Sequence, residues 1–186
     1  MQRESGRGGV LAVTSLTEYF RDALQGALAH QHLAVEDQTE QYVVNMLTLF
    51  ARAEHLYEGV PTGPRMPPLV NLFAGALDAT TPAERERALQ RLGDISLFIA
   101  GFFAHGFARR LVDIDYHIAM GGRAYGTLAD ALARGRRRVL ASVYAELAAK
   151  FQPLVDALGE ISDAARTYTQ GDVLRLYEIW LRTGRQ

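Results

Sequence analysis

Apolar residues recur at three- and four-residue intervals along nearly the whole chain, and no segment alternates with the period of two that a half-buried strand requires. Leu16, Phe20, Leu24 and Leu28 stack at four-residue spacing behind Ser15-Leu-Thr-Glu18, which has the spacing of a capping box. A first helix is therefore predicted from Ser15 to about His30. Asp37-Gln-Thr-Glu40 opens a second, with Val43, Met46, Leu47, Phe50, Ala53 and Leu56 on one stripe and Gly59 to end it. Four prolines from Pro61 to Pro68 make the next segment a loop, and Pro67 or Pro68 starts a short helix reaching Leu77. Thr81-Pro82-Ala-Glu84 is the clearest helix start in the chain, with an N-cap threonine, proline at the first helical position and glutamate at the third.

From Ile95 onward that helix is apolar on all sides, the mark of a helix at the centre of a bundle. His105-Gly106 should turn the chain into a helix that begins at Arg109, on which Ile114, Ile118, Gly121, Tyr125, Leu128 and Leu132 share one stripe. Arginines between Arg134 and Arg138 interrupt the pattern. Leu140, Tyr144, Leu147, Phe151, Leu154, Leu158 and Ile161 then follow in a heptad-like seam. Pro153 predicts a kink or break near Gln152. Thr169-Gln-Gly-Asp172 caps a last helix carrying Val173, Leu176, Tyr177 and Trp180. The pattern predicts an all-α fold, a single-domain bundle of about seven to eight helices over residues 14–184, behind a polar, glycine-rich and disordered N-terminal tail at 1–13.

A chain of 186 residues with 48% hydrophobic and 22% charged residues has the balance of one ordinary globular domain. The net charge of −1 gives no general attraction to nucleic acid or anionic membrane. With no cysteine, a disulfide framework and thiolate chemistry are excluded, and a reducing cytoplasm is the simplest setting. The longest nearly apolar stretch, Ile95 to Phe107, is well short of the roughly 18 residues of a transmembrane candidate. Arg134, Arg136, Arg137 and Arg138 form the one dense basic run, but no recognition helix, zinc finger or RNA-binding aromatic signature accompanies it, which argues against nucleic acid. Phosphate-binding glycine loops and the nucleophile elbow are also missing.

The stretch from Arg109 to Gly126 is the best candidate site. Glycine inside a helix costs about 1 kcal/mol relative to alanine, yet Gly121, Gly122 and Gly126 fall within six residues. Either they let the helix around Gly101 pack closely, or they open a slot between helices for a planar molecule. Asp113 and His117 are four apart, so the carboxylate can orient the imidazole, as a general base, metal ligand or pH switch requires. The same pair also serves as a plain polar couple at the rim of a core. Tyr116 and Tyr125 add hydrogen-bond donors, and Arg109, Arg110 and Arg123 add cations that suit an anion. His30, His32, His55 and His117 never appear in His-x3-His or Glu-x-x-His spacing, so the di-iron bundle pattern is missing.

Leu92 to Phe103 (LGDISLFIAGFF) followed by Arg109 to Tyr125 (RRLVDIDYHIAMGGRAY) resembles a family of bacterial all-helical proteins to which no activity is attached. That resemblance singles out Asp94, Asp113, Asp115, Tyr116, Gly121 and Tyr125. At the level of fold the chain is also similar to haem-oxygenase-like proteins, in which a histidine on an early helix binds iron; here that would be His30 or His32. Together these readings lead to the expectation of a non-catalytic binding module with a protein partner, using the Leu140–Ile161 seam to pair with a second copy as a homodimer. The alternative is a small-molecule protein or enzyme, for a planar, haem-like or anionic ligand, with a site at Asp113, Tyr116, His117, Gly121, Gly122, Arg123 and Tyr125.

Overall fold

The structure, a computed structural model, describes residues 7–57, 74–103 and 114–168, with side chains at 16–52, 74–102 and 114–164. Among the described residues seven helices form a compact all-α fold, with no strand. They are α1 (Arg7–His30), α2 (Asp37–Tyr57), α3 (74–77), α4 (Pro82–Phe103), α5 (Ile114–Ala133), α6 (Arg138–Ala149) and α7 (Phe151–Tyr168). The proline loop, the turn at His105-Gly106, the start of the Arg109 helix and the helix expected after Thr169 lie outside the described residues.

α1 begins at Arg7, so Ser15-Leu-Thr-Glu18 lies inside the helix and residues 7–13, expected in the tail, are helical. Val10-Leu-Ala-Val13 contains no breaker before Ser15, and a serine does not start a helix that is already propagating. At its other end α1 closes through His32, whose φ of 53° is left-handed. Leu33 N–H bonds Leu28 C=O at 2.9 Å and His32 N–H bonds Ala29 C=O at 3.2 Å, a Schellman arrangement that usually uses glycine. The capping box of α4 forms as its sequence implies: Glu84 N–H donates to Thr81 Oγ1 at 3.2 Å, and the Glu84 carboxylate accepts from the N–H groups of Thr80 and Thr81.

α4 is the central element, packed against α5 and α7, while α5 also packs on α6. Its apolar second half accounts for this place: Leu92, Ile95, Leu97, Ile99 and Ala100 are all buried. α1 and α2 form a hairpin that meets the rest of the bundle along α7 and α6.

The seam is divided between two helices. Lys150 separates α6 from α7, two residues before the expected break, because Pro153 is tolerated in the first turn of α7, where its missing N–H would have no partner. Tyr144, Leu147, Phe151, Leu154, Leu158 and Ile161 are buried in this chain's own core. The seam is thus occupied within one chain and is not a free face for a second copy.

Candidate functional site

The seven residues expected to form a ligand site do not share one surface. Tyr116 and Arg123 lie on the exposed side of α5, whereas His117, Gly121 and Tyr125 are buried. Gly122 is only partly covered. Asp113 lies outside the described residues, so the Asp113–His117 couple does too. The His117 ring meets the Tyr116 ring edge-on, at 6.4 Å between centroids.

The glycines divide in the same way. A Cβ on Gly121 would lie 2.3 Å from the Phe151 ring and 2.6 Å from Ser96 Cβ, so the space above this residue is filled by α7 and α4. At Gly122 and Gly126 the nearest atoms, on Phe151 and Ala148, are 3.8 Å away, an ordinary contact distance. Close packing therefore explains Gly121 but not its two neighbours. Ser96 is fully buried beside Gly121, and its hydroxyl makes no hydrogen bond among the described residues.

The strongest polar constellation lies instead on α4. Glu86, Gln90 and Asp94 are four residues apart and so share one face of the helix. Glu86, at the outer end, pairs with Arg137. One turn inward, Gln90 Nε2 donates to the Tyr42 hydroxyl at 3.2 Å. Tyr42 in turn donates to Asp94 Oδ1 at 2.7 Å, and Tyr125 donates to the same oxygen at 2.7 Å. Two phenols from α2 and α5 thus converge on one carboxylate oxygen of α4. Tyr144 closes the group, its ring edge-on to Tyr42 and stacked on Tyr125.

Gly93 makes this convergence possible. A Cβ there would lie 2.4 Å from the Tyr125 ring, so only a glycine lets the ring cross α4 and set its hydroxyl on the next residue.

Burial pushes the Asp94 carboxyl up to about 6, although both phenol hydrogen bonds pull it down. Burial, then the nearby Asp94 charge, holds the Tyr42 and Tyr125 hydroxyls well above the ordinary phenol range. Tyr144 is raised by burial too, against the opposing effect of its hydrogen bond with Tyr42. The phenols are therefore fixed donors, and Asp94 is the member of the group that exchanges a proton near neutrality. A carboxylate that is partly buried and has no cationic partner among the described residues is costly to charge, which marks Asp94 as a functional candidate.

Asp94 and Tyr125, two of the six positions that the resemblance singles out, are thus brought together, with Tyr42, Gln90 and Tyr144 as partners that the sequence pattern does not identify. Four-residue spacing from Glu86 to Asp94 could have exposed the polar face of α4. Nothing local points to Tyr42.

The histidines named for haem serve other contacts. His30 Nδ1 lies 3.0 Å from the Glu160 carboxylate, and His32 closes the end of α1. Among the described residues no three His, Asp or Glu side chains are grouped as a metal site would require, and no helix is long and apolar enough to cross a membrane. Comparison with protein-family models, curated proteins and solved structures finds no match to this chain.

Proposed function

We propose that the protein is a non-catalytic binding module that engages an acidic protein partner through the turn joining α5 to α6. The observation carrying this reading is a concentration of exposed positive charge, most of it unpaired among the described residues. Seven consecutive residues, Ala133 to Val139, are exposed. Arg137 is held by Glu86, whereas Arg134, Arg136 and Arg138 form no ion pair among the described residues. Val139, in the same turn, is 62% exposed. Guanidinium groups grip carboxylates in bidentate fashion, and arginine is among the residue types that dominate binding energy at interfaces. A cytoplasmic setting fits a chain without cysteine. Self-association would have to use a surface other than the buried seam.

The test compares wild type with an Arg134→Glu, Arg136→Glu, Arg138→Glu variant in binding to a fluorescent glutamate-rich peptide. Wild type should bind with an affinity that falls as salt rises, and the variant should bind at least tenfold more weakly with an unchanged circular dichroism spectrum. Equal binding by the two proteins would sink the reading. The alternative of a planar ligand beside α5 receives no support at Gly121, where Phe151 and Ser96 fill the space.

A further inference from the structure

We propose that the Tyr42–Asp94–Tyr125 bridge is a proton-controlled clasp, which sets how often the α1–α2 hairpin lifts away from the body formed by α4 to α7.

The hairpin's contacts with α6 and α7 are supplemented by polar ties, most of them at its closed end. Glu36 N–H donates to the Glu146 carboxylate at 3.2 Å, Lys150 Nζ donates to the Ala34 carbonyl at 2.6 Å, and Glu160 meets His30 and Gln31. Burial pushes Glu146 up, but bonds from Lys150, Thr39 and Glu36 N–H outweigh it, leaving this carboxyl below its ordinary value and charged throughout the neutral range. Farther along α2, the polar tie to the interior is Tyr42, and it ends on Asp94. Phe50 stacks on Phe98 two turns beyond, at 4.8 Å between centroids.

Asp94 is faced by Tyr42 from α2, Tyr125 from α5 and Tyr144 from α6, with the Arg137–Glu86 pair at the outer end of the same polar face. No cation is paired with it among the described residues. In the closed bundle it holds its proton up to about pH 6, whereas a carboxyl returned to water would release it near 3.8. The closed state therefore binds the proton more tightly than the open one. Closure is favoured in mild acid, and opening grows as pH rises through about 6. In the closed bundle Val43, Val44 and Leu47, on the same helix as Tyr42, are buried.

Hydrogen exchange of the full chain, corrected for chemical exchange at each pH, tests the clasp. Between about pH 4.5 and about pH 7.5, opening at the α2 amides should rise severalfold, toward a ceiling of about 25-fold that full return of Asp94 to water would give, while α7 amides change much less. Asp94→Asn should abolish the pH dependence at α2. Should that variant fold poorly, Tyr42→Phe severs only the hairpin side of the bridge, and should raise α2 opening about tenfold at neutral pH. Another tie of the hairpin, which involves a histidine, is His30 to Glu160 at the closed end, so His30→Gln is the control and must retain the wild-type response. A pH-independent α2, an equal change in α7, or loss of the response in His30→Gln would each overturn the clasp.

Discussion

The Tyr125 ring occupies the space that a side chain on Gly93 would fill, with ring carbons as near as 2.4 Å to the position of a Cβ. Tyr125 is completely buried and its hydroxyl is committed to Asp94, so the ring has little room to yield. Gly93→Ala should therefore destabilise the protein by about 1 to 3 kcal/mol, the usual range for overpacking a core, despite alanine's better helix propensity. Urea unfolding measures this directly. An Ala variant at least as stable as wild type would show that the ring position is not fixed.

Gly121, Gly122 and Gly126 should respond differently to the same substitution. At Gly121 a methyl group meets Phe151 and Ser96 at under 3 Å, so Gly121→Ala should cost about 1 to 3 kcal/mol. At Gly122 and Gly126 it meets atoms no nearer than 3.8 Å. Alanine there should stabilise the helix by about 0.5 to 1 kcal/mol. If a planar ligand lodged along the Gly122–Gly126 edge, those two variants would gain stability yet lose the ligand. Thermal denaturation with and without a haem and metabolite panel separates the outcomes.

What was legible in the sequence was local. The Thr81–Glu84 cap is written in four adjacent residues, and the box forms with its expected bonds. The apolar run after Ile95 placed α4 at the centre because a helix without a polar side has to be covered everywhere. The seam identified core residues correctly but not what they face: periodicity reports that a stripe is buried, not whether its cover is the same chain or another. Likewise Asp94 is singled out only by the resemblance of its stretch to other helical proteins, whereas its partner Tyr42 lies 52 residues away, and only tertiary packing joins them. The end of α1 was placed, but not its device, because a histidine in a left-handed conformation has no signature as plain as glycine's.

Ser96 makes a separate prediction. Its side chain is fully buried, and the hydroxyl makes no hydrogen bond among the described residues. An unsatisfied buried polar group costs about 1 to 3 kcal/mol, and alanine removes the oxygen while keeping the Cβ that meets Gly121. Ser96→Ala should accordingly leave stability unchanged or raise it by about 1 kcal/mol. A loss of more than about 1 kcal/mol in denaturant unfolding would instead imply that the hydroxyl makes a hydrogen bond essential to the core.

Arg138 links the proposed partner surface to folding energetics. It is the first residue of α6, a helix with no acidic residue in its first turn and no side-chain cap from Arg137. The N-terminal end of a helix carries partial positive charge, so an arginine there is opposed by the macrodipole and an acid is favoured, typically by about 0.3 to 1 kcal/mol. Arg138→Glu should therefore raise the melting temperature by a few degrees while weakening attachment to an acidic partner. Retaining arginine at a position where it lowers stability is what a binding surface would require, since such sites conflict with local stability more often than others do. A solvated turn without a role would show the gain in stability and no loss of binding to the glutamate-rich peptide. The melting curve and the peptide titration, made on one variant, thus test the energetic cost and its purpose separately.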